Sequence, residues 1–209
     1  MSGKSNMGPN IGIIVLAAGA STRMGTPKQL LLYRGWSLLR HTVEIAMSSS
    51  CQPIIVVLGA QAERIKPQVD SLPVQIVENP RWATGMGSSI QVGMAATLKI
   101  NPDLEAVIIL LCDQPLISPQ LIIHMIASYR KTTKAIVACE YDRTVGAPAL
   151  FGHILFPQLA QLTGQAGAKH VIRQHNMELV RIPFPEGALD VDTRLDYERL
   201  QQADELKRL

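Results

Sequence analysis

A chain of 209 residues, of which 47% are hydrophobic and 18% charged, fits one globular domain and is too apolar for a disordered protein. Its formal net charge is +3, and it has no run of five or six like charges, so we expect neither a nucleic-acid nor a membrane partner. Three scattered cysteines exclude a disulfide framework or a zinc ribbon and favour buried thiols in a cytoplasmic protein.

The ends and linkers of the chain indicate a simple organisation. Residues 1–10 lack the apolar stretch of a secretory signal, and we predict a flexible N-terminal leader there. No apolar run approaches the roughly 20 residues that cross a bilayer. We therefore predict one domain over residues 11–209.

Short apolar runs alternate with amphipathic segments along the chain. Several runs are apolar at every position, which is typical of strands covered by helices on both faces. The runs are Ile11–Ala18, Pro53–Leu58, Val74–Val77, Ala106–Cys112, Ala135–Cys139 and Leu179–Ile182. The alternation predicts an α/β fold: a three-layer αβα, doubly wound, mostly parallel sheet of Rossmann-like type.

Capping residues mark the predicted helix starts. Ser37 precedes an amphipathic segment, and Ser118 is followed by proline, the usual order at a helix N-terminus. Either Ser88 or Ser89 is predicted to begin a third helix. A charged amphipathic helix is predicted over Thr193–Leu206.

A loop of small residues follows the first strand. The segment Ala17-Ala18-Gly19-Ala20-Ser21 is followed by Arg23 and Lys28. Small residues allow close approach of the backbone, and consecutive N–H groups can hold phosphate oxygens. A tight strand-to-helix turn would explain the glycine but not the two cations. The loop is neither a Walker loop nor a GxGxxG fingerprint, and we interpret it as a triphosphate site.

Carboxylates stand at two further positions where ligands bind. Asp113 directly follows an apolar strand, at the edge where open α/β sheets bind ligands. Asp190 and Asp192 lie two apart in an extended segment and face the same way, although Asp192 or Thr193 could instead cap the last helix. Asp113 with one of the pair would form a two-carboxylate magnesium site.

Four segments together resemble one family. They are LAAGASTRMGTPKQLL at 16–31, NPRWATGMGSS at 79–89, CDQP at 112–115 and DVDT at 190–193. In order and spacing they are similar to the nucleotidyltransferases related to molybdenum-cofactor cytidylyltransferase, the MocA-like members of the MobA-like family. The resemblance spans about residues 11–200 and implies a GT-A-type nucleotidyltransferase fold.

The resemblance also implies a site for CTP and Mg²⁺. The nucleotide would contact Leu16, Ala17, Ala18, Gly19, Gly85, Ser88 and Ser89. Arg23 and Lys28 would bind its phosphates and act as the catalytic cations. The family's magnesium ligands fall on Asp113 and Asp192, with Asp190 as the alternative to Asp192. Trp82 is interpreted as packing its loop rather than stacking on a base.

The acceptor side departs from the family pattern. The resemblance places Gly146, Ala147, Pro148 and Lys169 near the acceptor, a phosphorylated pterin. Where relatives read Gly-Asp-x-Gly-Ala-Arg, residues 164–169 read GQAGAK. Lysine cannot form arginine's bidentate phosphate contact, so acceptor recognition is expected to differ.

The implied reaction is transfer of CMP from CTP to the phosphate of molybdopterin, with release of pyrophosphate. A molybdoenzyme would then receive the product. Three alternatives stay open: a cytidylyl or uridylyl transferase acting on a sugar or alditol phosphate, a non-catalytic molybdopterin carrier, and a redox enzyme of the same fold. The metal-binding carboxylates argue against a carrier, and the missing GxGxxG argues against a dinucleotide cofactor.

Overall fold

The computed structural model describes residues 10–206. The predicted leader at residues 1–10 therefore lies outside the described residues, except for Asn10. The side-chain amide of Asn10 donates to the carbonyl oxygen of Asp103 at 2.7 Å, and its Oδ1 accepts from Asn101 at 3.0 Å. Asn10 is thus held against the loop that precedes a central strand.

Strands and helices alternate through residues 10–206. The strands are β1 (Ile11–Ala17), β2 (Leu32–Tyr33), β3 (Trp36–Ser37), β4 (Ile54–Leu58), β5 (Gln75–Glu78), β6 (Ala106–Leu111), β7 (Ile136–Tyr141), β8 (Thr144–Gly152) and β9 (Leu179–Pro183). The α-helices are α1 (Leu38–Met47), α2 (Ala62–Ile65), α3 (Met86–Ile100), α4 (Pro119–Lys131), α5 (Phe156–Ala160), α6 (Ala168–Gln174) and α7 (Arg194–Leu206). Each apolar run predicted as a strand overlaps an observed strand.

The large sheet has the order β5-β4-β1-β6-β8-β7-β9. Strands β4 and β6 flank β1 and run parallel to it, and β5 runs parallel to β4. Strand β8 is antiparallel to both of its neighbours, β6 and β7. The predicted mostly parallel, doubly wound sheet is confirmed, with one reversed strand inserted in it.

Successive side chains of β1 point to opposite faces of the sheet, as strand geometry requires. Ile13 and Val15 pack in one buried cluster with Val43 of α1. Ile14 packs in a second cluster with Ile90 of α3 on the other face. Both faces of the strand are therefore covered by helices, which explains its unbroken apolar sequence and confirms the three layers.

Two of the predicted helix starts are confirmed, and one is wrong. Ser37 accepts a hydrogen bond from the N–H of Arg40, and Ser118 accepts one from Leu121. Helix α3 begins at Met86 rather than at Ser88 or Ser89. Residue 85 precedes it with φ of +121°, a conformation that glycine readily adopts. A Cβ at Gly85 would lie 2.3 Å from the carbonyl oxygen of Gly164, so tertiary contact fixes this start.

The C-terminal segment returns to the start of the chain. A third buried cluster joins Tyr33 and Leu38 to Val191 and to Leu200 of α7. This cluster brings the segment that contains Asp190 and Asp192 beside the chain that follows the small-residue loop. Within residues 10–206, no helix combines the length and apolarity needed to cross a membrane.

Candidate active site

A cleft of about 740 Å³ opens where β1 and β6 end. This volume lies within the usual range for small-ligand sites, and the carboxyl edge of the sheet is where ligands of such folds bind. Most of the predicted site residues line it: Leu16, Ala17, Ala18, Gly19, Arg23, Lys28, Gly85, Ser89, Asp113, Ala147, Lys169 and Asp192. The predicted residues Ser88, Gly146 and Pro148 are not part of its lining.

Lys28 joins the two predicted metal ligands. Its Nζ lies 2.5 Å from Oδ2 of Asp113 and 2.7 Å from Oδ1 of Asp192. Burial alone would lower the pKa of Lys28, but the charge of Asp113 and the hydrogen bonds to both carboxylates outweigh it and raise that pKa. Although Lys28 follows a loop, its side chain is only 12% exposed. It stays charged in the cleft at physiological pH.

Arg23 binds the other oxygen of Asp192. Its Nη2 lies 2.8 Å from Oδ2 of Asp192, and its side chain is 68% exposed. Burial of Asp192 acts to raise the pKa of its carboxyl, but Lys28 and Arg23 together lower it below the usual value. Asp192 is therefore an ionised carboxylate shared between two cations.

Thr193, and not Asp192, caps the last helix. Its hydroxyl accepts from the N–H of Asp196, while its own N–H and hydroxyl donate to the Asp196 carboxylate. This reciprocal pair is a capping box. The carboxylate of Asp192 is thereby left to face the cleft.

Asp190 adds a third carboxylate to the cleft lining. Burial, followed by the charge of Asp113, raises the pKa of Asp190 to about 6. Oδ1 of Asp113 is buried without a hydrogen-bond partner among the described residues. Such an orphaned oxygen is costly unless something binds it. Oxygen donors of this kind suit Mg²⁺, which usually takes one or two carboxylates and leaves positions for phosphates. Within residues 10–206, no group of three or more His, Cys, Asp or Glu side chains is placed to hold a metal, so these carboxylates fit a divalent ion only as one or two of its ligands, with phosphates and water completing its shell.

Two serines at the start of α3 are held from behind the cleft. Nδ2 of the buried Asn79 donates to the hydroxyl oxygens of Ser88 and Ser89, at 2.8 and 3.0 Å. The Ser88 hydroxyl lies within donating distance of the carbonyl oxygens of Arg81 and Gly85. Ser88 thus shapes the loop instead of lining the cleft, whereas Ser89 does line it.

Sequence comparison decides the family. The MobA-like NTP transferase domain matches residues 13–179. The chain belongs to the MobA-like NTP transferase family. This MobA-like nucleotidyltransferase is 33% identical over 189 residues to nicotine blue oxidoreductase from Paenarthrobacter nicotinovorans, an alignment that covers 86% of the chain and 91% of that relative.

Solved structures share the fold of this MobA-like transferase. Rv0371c from Mycobacterium tuberculosis H37Rv is 31% identical with a TM-score of 0.77, covering 92% of this chain and 98% of that one. A structure of Rv0371c in complex with manganese gives 29% identity and a TM-score of 0.73 over the same shares. A nucleotidyl transferase from Methanothermobacter has a TM-score of 0.78 at 20% identity, covering 95% and 98%, which shows a common fold.

The residues predicted for the acceptor side lie on β8 and α6. Ala147 lines the cleft, and its carbonyl oxygen accepts from the Tyr141 hydroxyl at 2.9 Å. The Lys169 Nζ lies 6.0 Å from the centre of the Tyr141 ring. A Cβ on Gly146 would lie 2.6 Å from Cε of Lys169, so glycine there leaves room for the lysine stem. Gly146 itself does not line the cleft and lies against the stem of Lys169.

Several lining residues were not among the predicted ligands. They include Gln29, Trp82, Met86, Tyr141 and Gln165. Trp82, which we expect to pack its loop, also lines the cleft, and the residue is 36% exposed. Gln29 and Met86 lie within the segments that resemble the family, and Gln165 lies within the segment that departs from it, so their positions were signalled although their roles were not. Tyr141 carries no sequence signal, because an isolated tyrosine is equally common in a core or on a surface.

Proposed function

We propose that this MobA-like transferase moves CMP from CTP to the phosphate of molybdopterin and releases pyrophosphate. The observation that carries the proposal is the Lys28 ammonium between Asp113 and Asp192, at the edge of a cleft large enough for a nucleotide. Cations beside a small-residue loop suit a triphosphate, and carboxylates opposite them suit its metal.

The proposed step is an in-line displacement at the α-phosphorus. A bond forms between an acceptor phosphate oxygen and that phosphorus, while the bond to the β-phosphate oxygen breaks and its electron pair leaves with pyrophosphate. A phosphate monoester has a second pKa of about 6 and is already mostly dianionic at neutral pH. The protein therefore needs no general base for this step.

The residues of the chain position the substrates and neutralise charge. Arg23 and Lys28 offset the negative charge of the triphosphate. Asp113 and Asp192, with Asp190 as a further carboxylate, would hold Mg²⁺, which supplies additional positive charge to the phosphates when bound. Manganese in the structure of the relative Rv0371c supports a divalent ion.

The nucleotide preference is proposed from the size of the loop. Ala18 has a β-methyl where guanylyl-transferring relatives usually have a second glycine, and it is nearly buried. This methyl narrows the space beside the base, and Trp82 lines the same cleft. A pyrimidine would fit more closely than a purine, which favours CTP over GTP.

Molybdopterin is proposed as the acceptor from the family resemblance. Transfer to a sugar or alditol phosphate is the second candidate function. A sugar or alditol phosphate presents the same phosphate group to Lys169. The name of the oxidoreductase relative suggests a redox function instead. The Lys28–Asp113–Asp192 cluster favours transfer, because a hydride reaction has no need for two carboxylates that share a cation. The same cluster disfavours a passive molybdopterin carrier.

The test is pyrophosphate release with magnesium and each of the four nucleoside triphosphates, with and without molybdopterin. We expect release with CTP and molybdopterin together, and tighter calorimetric binding of CTP than of GTP. Parallel reactions with sugar and alditol phosphates, and an assay of NADH and NADPH oxidation, test the alternatives. Binding of molybdopterin without release, or equal or tighter binding of GTP, would contradict the proposal.

A further inference from the structure

Gln29 is a fully buried polar side chain behind the small-residue loop, next in sequence to Lys28. Its Nε2 donates to the carbonyl oxygens of Ala17 and Gly19, both at 2.9 Å. Its Oε1 accepts from the Ser21 hydroxyl at 3.3 Å. One side chain therefore satisfies three polar groups of the loop at once, which an apolar core residue could not do.

These bonds set the direction of the loop's peptide groups. In a trans peptide, the carbonyl of one residue and the N–H of the next point in opposite directions. Because the Gly19 carbonyl points at Gln29, the N–H of Ala20 points away from Gln29. Gly19 and Ala20 line the cleft, and a Cβ on Gly19 would meet nothing within 4 Å. Gln29 thus orders a stretch of backbone whose other side faces the open space of the cleft.

Gln29 is also linked to Lys28 through Ser21. Ser21 has φ of +55°, a left-handed conformation that non-glycine residues adopt only when their surroundings fix it. The Ser21 hydroxyl donates to Gln29, and its oxygen accepts from the backbone N–H of Lys28 at 3.0 Å. The conformation of the loop and the placement of Lys28 beside Asp113 therefore depend on the same side chain.

We propose that Gln29 is a positioning residue that holds the loop and Lys28 ready for the phosphates of the nucleotide. Gln29 borders the cleft but is fully buried, so it acts through the loop and does not itself contact the phosphates. The inference rests on the proposed function only in taking the cleft as a triphosphate site. It gives a part in nucleotide affinity to a residue that its burial alone would assign to the core.

The test compares three variants of the full chain. Gln29→Met keeps the length of the side chain and removes both donors and the acceptor. Ser21→Ala removes only the link between Gln29 and Lys28. Thr42→Val is the matched control: Thr42 is buried in α1, away from the cleft, and its hydroxyl bonds the Leu38 carbonyl. A general loss of stability affects the control in the same direction.

The first readout is calorimetric binding of CTP and of inorganic tripolyphosphate, each with magnesium. We expect Gln29→Met to weaken the binding of CTP and of tripolyphosphate by about tenfold, the effect of losing buried hydrogen bonds. Both ligands should be affected, because the variant disorders the loop at the phosphates and not at the base. Ser21→Ala should weaken both by a smaller factor. Thr42→Val should bind both like the wild type.

The second readout needs no ligand. Trypsin cleavage after Arg23, measured by mass spectrometry on the free protein, should be several times faster in Gln29→Met and unchanged in Thr42→Val. Tripolyphosphate affinity equal to that of the wild type in Gln29→Met, or an equal loss in Thr42→Val, would overturn the inference. If Gln29→Met does not fold, Ser21→Ala with normal affinity overturns it. Absence of pyrophosphate release would refute the proposed function, while both readouts would still decide the role of Gln29.

Discussion

The backbone N–H of Val191 donates a hydrogen bond to the carbonyl oxygen of Asp113 at 2.9 Å. This bond ties the segment before α7 to the residue that follows β6. Asp192 comes directly after Val191, so this hydrogen bond holds the Asp192 carboxylate within reach of Lys28. Lys28 also contacts Asp113. The fully buried Val191 side chain anchors the segment from its other side.

Asp113→Asn and Asp192→Asn should each lower the turnover of pyrophosphate release by about 10²–10³ or more, because a neutral amide cannot hold a cation that offsets transferring charge. Circular dichroism melting should show that both variants fold. Asp142→Asn, in the exposed β7–β8 turn, is the control and should keep normal turnover. Full activity of both variants in magnesium would show that these carboxylates have no part in the reaction.

Lys28→Ala should lower turnover by about 10²–10³, the usual effect of removing one electrostatic contact to a transition state. It should also lower the free energy of unfolding, because Asp113 and Asp192 then face each other without their shared cation. Steady-state kinetics and urea denaturation measure the two effects. Lys99→Ala, on the exposed end of α3, should change neither. Near-normal turnover of Lys28→Ala would place the lysine outside the chemistry.

Asn79→Ala should lower the free energy of unfolding by about 1–3 kcal/mol, because the hydroxyls of Ser88 and Ser89 lose their buried donor. The loosened start of α3 should also raise KM for the nucleotide more than it changes kcat. Urea denaturation and initial-rate kinetics measure these effects. Asn176→Ala, at an exposed position, should stay within about 0.5 kcal/mol of the wild type. Equal stability of the two variants would contradict this role of Asn79.

The three cysteines should resist thiol reagents in the native protein. Cys51, Cys112 and Cys139 are free and buried. Burial raises the pKa of the Cys51 thiol, and raises that of Cys139 to about 12. Because only the thiolate reacts, raising the pH from 7 to 9 should leave labelling by an aromatic disulfide reagent negligible. Guanidinium should expose all three. Rapid labelling of one native thiol per chain would contradict the burial.

Much of the fold could be predicted because its signals are local. The run Ile11–Ala18 is apolar at every position, which by itself indicates a strand covered on both faces. Ser37 and Ser118 act as caps through hydrogen bonds to residues three positions away, so no distant partner is needed. The start of α3 could not be predicted this way, because the carbonyl of Gly164 helps to fix it.

The sequence by itself determined which residues to expect at one site: the small-residue loop, the cations after it, and the carboxylates at 113, 190 and 192. Only the tertiary structure decided how they pair. It placed Lys28 between Asp113 and Asp192, assigned the helix cap to Thr193, and turned the Ser88 hydroxyl away from the cleft. The physical reason is that ion pairs form between residues far apart in the chain. Their distances depend on strand order and on buried anchors such as Val191, which periodicity and spacing do not encode.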